Sequence, residues 1–133
     1  MIADSPILLD TCTLLFLAAD QSRLSDRARA VISANADALY ISAISAFEIG
    51  VKCRRGALTL PCAPGDWYSS ALDLHGLVEI PVDGRCAIRA TCLPPLHKDP
   101  ADRIIVATAE HRGLTILTPD PLIRAYPDVR VEW

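Results

Sequence analysis

The stretch HKDPADRIIVATAEHRGLTILTPD, residues 97–120, contains a helix start, an apolar helix and a buried strand in direct succession. Asp99 followed by Pro100 is typical of an N-cap with proline at the first helical position. The run IIVATA is apolar nearly all round, as expected of a buried helix, and TIL at 115–117 is typical of a buried strand. A helix that leads into such a strand predicts one unit of a parallel α/β sheet.

The same alternation of short apolar runs and longer helical patterns extends along the whole chain. Strands are expected at ILL (7–9), LYI (39–41), LVEI (77–80), TIL (115–117) and VRV (129–131). Helices are expected near residues 12–19, 26–35, 43–55, 66–75, 84–92 and 100–112. Ser42 is placed to cap a helix, and Gly56, Gly76 and Gly113 stand where helices should end. We therefore predict one α/β domain over residues 1–133, an α/β/α sandwich with a mostly parallel sheet of four to five strands.

Composition narrows the class of protein. With 51% hydrophobic and 22% charged residues, the 133-residue chain has the profile of one packed domain. A net charge of -3 argues against a general nucleic-acid binder with a broad basic surface. The five cysteines form no C-x-x-C pair, which favours reduced thiols. The start MIADSPILLD lacks a basic region and no apolar run is long enough to span a membrane, so we expect a cytoplasmic protein without a membrane partner.

Acidic residues stand where the predicted strands end. Asp10 directly follows ILL, Asp120 follows TIL with Thr118 beside it, and Asp102 opens the apolar helix before TIL. Because ligands of open parallel sheets bind outside the carboxyl ends of the strands, these side chains are candidates for one site. The simpler interpretation of Asp10 and Asp120, taken singly, is that each is an ordinary N-cap.

Glu48 is the least ordinary of these acids. Ile44, Phe47, Glu48 and Val51 follow helical spacing, so Glu48 is expected on the apolar stripe of its helix. A position at the edge of the stripe, or pairing with Lys52 one turn later, are the simpler alternatives. A cleft that contains cations accounts better for a carboxylate there. Oxygen ligands from four separate elements favour magnesium or manganese.

With these acids in place, the chain resembles the PIN-domain family, and within it the VapC-like ribonuclease toxins. The resemblance runs from LLDTCTLL through ISAISAFEIGVK and HKDPADRIIVATAEHRGLTILTPD to the last strand. It implies that the catalytic and metal-binding residues are Asp10, Glu48, Asp102 and Asp120. It also implies accessory roles for Thr11, Thr118 and Asp99, with Asp99 serving mainly as the helix cap. Cys12 departs from the pattern, because His, Asn or Ser is expected there more often.

The resemblance implies hydrolysis of RNA phosphodiester bonds with one or two Mg²⁺ or Mn²⁺ ions in the active site. It further implies a toxin that inhibits growth, a cognate antitoxin as partner and a homodimer. Candidate phosphate contacts are Lys52, Arg55, Lys98 and Arg103, and solvated helix-face charges are the alternative for each. His97 is interpreted as a loop residue, and Trp67 and Tyr68 as packing residues in preference to base-stacking ones.

Two other functions fit parts of the pattern. A receiver-like Mg²⁺-dependent phospho-aspartate domain also has acids at strand ends, but it needs a lysine at the end of a later strand. Here LVEI is followed by Pro81, and the last strand leads to Trp133. A non-catalytic PIN-like module that binds RNA or protein is the second alternative, and the presence of all four acids argues against it.

Overall fold

Five short strands form one parallel sheet in the computed structural model, which describes residues 5–133. The strands are β1 (Ile7–Leu9), β2 (Leu39–Ser42), β3 (Val78–Ile80), β4 (Thr115–Leu117) and β5 (Arg130–Glu132). Their order across the sheet is β3-β2-β1-β4-β5, and every neighbouring pair is parallel. The predicted α/β fold with a mostly parallel sheet is therefore confirmed, and the sheet has five strands.

Helices connect the strands as the sequence pattern predicts. They are α1 (Thr11–Ala19), α2 (Asp26–Ala34), α3 (Ala43–Arg54), α4 (Pro64–His75), α5 (Gly84–Cys92), α6 (Pro100–Arg112) and α7 (Pro121–Arg124). Gly76 and Gly113 are the C-caps of α4 and α6, and both adopt a left-handed backbone with φ values of 64° and 67°. The short helix α7 begins at Pro121 with Asp120 as its N-cap, which confirms the simpler interpretation of Asp120.

The sheet separates two apolar layers because alternate strand side chains point to opposite faces. Ile7 and Leu9 of β1 belong to one core cluster, whereas Leu8 between them belongs to the other. The first cluster is completed by α1 to α4 and the second by α5 to α7. Trp67 and Tyr68 are both buried in the first cluster, which confirms that they are packing residues.

Helix α3 corrects one prediction about its apolar stripe. Ser45 and Ile49 are fully buried and face the core, whereas Phe47 is 68% exposed. At about 100° per residue, the stripe that includes Phe47 therefore lies about 130° around the helix from the buried face. Small Ser45 can face the core because its hydroxyl is hydrogen-bonded to Thr11 at 2.8 Å, so no apolar residue is needed there.

The two central strands place their carboxyl ends side by side. Leu9 of β1 pairs with Leu117 of β4, so Asp10 and Thr118 follow the strands at the same level. From β1 the chain passes to β2 on one side, and from β4 it passes to β5 on the other. Such a reversal leaves a crevice between the diverging connections, which is where ligands of parallel sheets bind.

Of the helices that the structure describes, none combines the length and the apolar character needed to cross a bilayer.

Candidate active site

Asp10 is held rigidly in the crevice between β1 and β4. Its Oδ1 accepts from the backbone N–H of Thr13 at 2.9 Å and from the Thr13 hydroxyl, and its Oδ2 accepts from the Thr118 hydroxyl. Asp10 is only 3% exposed. It is also the N-cap of α1, which confirms the simpler interpretation; its role in a metal site stays a prediction.

Asp102 and Asp120 meet at the imidazole of His97. The His97 Nε2 lies 2.8 Å from Oδ2 of Asp120 and 3.1 Å from Oδ2 of Asp102. Ligand atoms of these three residues all lie within 4.8 Å of one another. Asp120 also caps α7, because its Oδ1 accepts from the backbone N–H of Leu122 at 2.9 Å. One Asp120 oxygen therefore serves the helix and the other faces the site.

His97 is a functional candidate that sequence reasoning missed. It lies in the loop between α5 and α6, as predicted, but its side chain is only 11% exposed and contacts two of the four acids. Its Nδ1 accepts a hydrogen bond of 3.1 Å from the backbone N–H of Asp99. The only signal in the sequence was its closeness to Asp99 and Asp102.

Glu48 is partly buried, as its predicted place near the cleft requires. The side chain is 15% exposed, and Oε2 forms an ion pair of 3.6 Å with Lys52 one turn later. The other oxygen, Oε1, is buried and has no hydrogen-bond partner among the described residues. Since an unpaired buried oxygen of this kind costs free energy, Glu48 has capacity left for a ligand.

The pKa of Asp102 reflects both its burial and the negative charge of the site. Burial raises its pKa to about 7, and the nearby charge of Asp99 adds to the increase. Glu48 and Asp10 also raise it, whereas His97 lowers it. Asp10 and Glu48 lie outside the tight group around His97, yet they are close enough to act on Asp102. The protein alone thus places more negative charge here than it neutralises.

These features fit a hard divalent cation. The donor set consists of carboxylate oxygens, which Mg²⁺ and Mn²⁺ prefer, and Oε1 of Glu48 has no hydrogen-bond partner within residues 5–133. Asp102 and Asp120 each present an oxygen to the same point. The acidic cluster around Asp102 and Asp120 is therefore suited to bind a metal ion.

The accessory residues support Asp10 and the first turn of α6. Thr118 donates to Asp10, Thr11 is buried and bonded to Ser45, and Asp99 caps α6 by accepting from the backbone N–H of Ala101 at 2.8 Å. Cys12 lies with its Sγ 3.4 Å from both Asp10 oxygens. Burial, reinforced by the charge of Asp10, raises the pKa of the Cys12 thiol, which remains a protonated donor.

Arg103, a predicted phosphate contact, is engaged within the protein, and its contact with substrate stays a prediction. Its guanidinium donates to the backbone carbonyls of Ala90, Leu93, Pro94 and His97 at 2.8 to 3.2 Å. Through these hydrogen bonds, the guanidinium holds the loop that carries His97 in place. The remaining predicted cations, Lys52, Arg55 and Lys98, line a groove between α3 and the start of α6.

Comparison with known proteins agrees with this arrangement. The family model of the PIN domain matches residues 7–129. The chain is 31% identical over 121 residues to Ribonuclease VapC22 of Mycobacterium tuberculosis (strain ATCC 25618 / H37Rv), covering 90% of this chain and 91% of that protein.

Solved structures share the fold at lower identity. The DNA-bound VapBC of Salmonella typhimurium superposes with a TM-score of 0.68 at 20% identity, covering 98% of this chain and 97% of that chain. VapBC2 of Rickettsia felis, bound to a promoter DNA fragment, gives a TM-score of 0.68 at 16% identity, covering 94% and 96%. The match to the family model over nearly the whole chain, together with the acids at the sheet edge, shows that this chain belongs to the PIN domain family.

Proposed function

We propose that this chain is a single-domain, metal-dependent endoribonuclease and the toxin of a type II toxin–antitoxin pair, which inhibits growth by cleaving RNA. The observation that carries the proposal is the set of four carboxylates at one sheet edge, with a buried Glu48 oxygen that no described residue satisfies. The ribonuclease name of the 31% identical relative supports the reaction.

Asp10, Glu48, Asp102 and Asp120 would hold one or two Mg²⁺ or Mn²⁺ ions. A bound divalent cation supplies a water of lowered pKa and neutralises charge on the scissile phosphate. The protein contributes orientation. Thr13 and Thr118 fix both oxygens of Asp10, while the His97 ring positions one oxygen of Asp102 and one of Asp120.

The proposed partners are an RNA substrate, a cognate antitoxin and a second copy of the chain, and the proposed compartment is the cytoplasm. One solved neighbour, from Klebsiella pneumoniae, is a toxin–antitoxin complex, which supports an antitoxin. A cluster of carboxylates is also suited to receive an arginine from an inhibitor segment through paired hydrogen bonds.

RNA cleavage by the purified protein tests this proposal. We expect cleavage with Mg²⁺ or Mn²⁺ that stops when a chelator is added. Asp102→Asn should lower the rate by more than about 100-fold, because residues that only support metal ligands already account for 10- to 100-fold. Asp73→Asn, the same change at an exposed carboxylate of α4, is the matched control and should cleave like the wild type.

Equal cleavage by the Asp102→Asn and Asp73→Asn proteins would contradict the proposal, since it would point to a contaminating nuclease. Intact RNA in every preparation, combined with tight RNA or antitoxin binding, would favour the non-catalytic binding module.

A further inference from the structure

A groove runs beside the acid cluster, between α3 and the first turn of α6. Its volume is about 470 Å³, within the range of about 300 to 1,000 Å³ that is usual for ligand clefts. One wall is formed by α3 and its C-cap Arg55, and the other by Lys98 to Ala101. Glu48 and Asp99 both line the groove, so one of its ends is continuous with the acids around Asp102.

The wall formed by α3 is unusually apolar for an open surface. Ile44, Phe47 and Val51 follow i, i+3 and i+7 spacing and present one apolar stripe to the groove, facing Pro100. Phe47 is 68% exposed, and it is the only exposed residue among the Phe, Trp and Tyr side chains of the chain, all of which the structure describes. A flat aromatic ring is therefore presented to solvent in a groove that adjoins the proposed catalytic acids.

Positive charge surrounds the same groove, although the protein as a whole is acidic. Lys52, Arg55 and Lys98 all line it, in a chain of net charge -3. Lys52 is paired with Glu48. Arg55 and Lys98 form no ion pair with any residue in the described range 5–133. These two cations are thus available to an anionic ligand.

The groove combines an apolar wall that carries an aromatic ring with unpaired cations, and it adjoins the proposed catalytic acids. The ring suits the flat base of an unpaired nucleotide, and the cations suit its phosphate. Proteins bind single-stranded nucleic acid by stacking bases on aromatic side chains and by holding phosphates with Lys and Arg. We propose that this groove binds single-stranded RNA beside the scissile phosphodiester, with an unpaired base stacked on Phe47 and a flanking phosphate at Arg55 and Lys98. This inference rests on the proposed ribonuclease function and adds the subsite that selects single strands.

Binding of two oligomers tests the role of Phe47. In the Asp102→Asn background, fluorescence anisotropy compares an oligoadenylate with an abasic ribose-phosphate oligomer of the same length. Phe47→Ala should weaken oligoadenylate binding by about 5- to 140-fold, the range given by loss of one stacked base. It should leave abasic binding unchanged, and Phe47→Trp should retain the wild-type preference for the oligomer that carries bases.

Ile88→Ala is the matched control, because Ile88 is also 68% exposed but lies on α5 outside the groove. It should bind both oligomers like the parent protein. The rim is tested by salt dependence. Arg55→Gln and Lys98→Gln should each reduce the slope of log affinity against log salt by about 0.7, the value for one phosphate contact to a single strand. Arg54→Gln, next to Arg55 but outside the groove, should leave the slope unchanged.

The proposal is overturned if Phe47→Ala affects both oligomers equally, or affects neither. A Phe47→Ala protein that changes its oligomeric state or antitoxin binding at unchanged RNA affinity would assign the groove to a protein partner instead. If the wild type cleaves RNA but Phe47→Ala leaves the binding of both oligomers unchanged, the proposed role of the groove is rejected and the ribonuclease function is retained. Absence of cleavage by the wild type, with the predicted loss of base stacking, would reject the nuclease and retain an RNA-binding groove.

Discussion

At the scale of single residues, His97 has a defined proton arrangement. The backbone N–H of Asp99 donates to Nδ1, so the ring proton must lie on Nε2. That N–H points to Asp120 and Asp102 at 2.8 and 3.1 Å. A nitrogen that carries a proton has no lone pair for a metal. His97 therefore acts as a donor that positions two carboxylates, although its place beside them resembles that of a ligand.

His97→Ala should lower RNA cleavage and divalent-metal affinity by about 10- to 100-fold, the usual cost of removing a partner that orients metal ligands. His97→Gln, whose amide can still donate, should recover part of both losses. Isothermal titration with Mn²⁺ alongside the cleavage assay would measure them. His111→Ala, at an exposed position in the last turn of α6, is the control. Metal affinity that is unchanged in His97→Ala would contradict the positioning role.

Asp102 makes the stability of the metal-free protein depend on pH. Its pKa is raised from an ordinary 3.8 to about 7 in the folded state, so the folded protein binds this proton more tightly than the unfolded chain. The stabilisation is complete below about pH 4 and is lost as the pH rises through 7. In a chelator, the melting temperature should therefore fall between pH 5 and pH 8.

Asp102→Asn should flatten that fall, because the amide does not titrate, and Asp73→Asn should keep the wild-type slope. Thermal melts across the pH series measure both. The account would be contradicted if the wild-type melting temperature rose between pH 5 and pH 8 and Asp102→Asn removed that rise. Such a result would show that the carboxyl is already ionised in the folded protein at pH 5.

At the scale of elements, capping and function share the same side chains. Asp10 and Asp120 each give one oxygen to the backbone of a helix start, while Asp120 presents its other oxygen to His97. The sequence could show that a carboxylate stands at a helix start. It could not show where the second oxygen points, because that depends on contacts between residues that are distant in the chain.

Substitutions of Asp99 and Asp102 should distinguish helix capping from catalysis. Asp99→Ala should lower the free energy of unfolding by about 0.5 to 2 kcal/mol, the range for loss of an N-cap. Asp99→Asn, which keeps a capping oxygen, should retain most of the stability and the cleavage activity. Denaturant unfolding and the cleavage assay measure both. If Asp99→Asn abolished cleavage as fully as Asp102→Asn, Asp99 would belong with the catalytic acids.

Helix α3 shows why periodicity alone misjudged one face. Apolar residues at helical spacing predict a stripe but do not say whether it packs on the core or lines a groove. Here the core side holds Ser45 and Ile49, and the stripe with Phe47 lines the groove. Arg103 donates to backbone carbonyls in α5 and in the loop after it, and no residue type reveals such partners; its contact with substrate stays a prediction.

At the scale of the whole molecule, the fold was predictable because nearly every strand is a short apolar run and every long helix has a start or stop signal. The order β3-β2-β1-β4-β5 then places the ends of β1 and β4 together and gathers acids from separate parts of the chain. Position relative to strand ends was enough to predict that Asp10 and Asp120 lie at this edge of the sheet. His97 could not be found in this way, because the loop that carries it reaches the site only when Arg103 and the fold fix its path.

The central claim is that this sheet edge holds a divalent cation, and direct Mn²⁺ binding tests it without knowledge of the natural RNA. Electron paramagnetic resonance titration of the purified protein should show saturable binding of one or two ions per chain. Binding should be lost or severely weakened in Asp102→Asn and Glu48→Gln and retained in Asp73→Asn. Mn²⁺ binding that is absent from the wild type, or equal in all four proteins, would contradict the account.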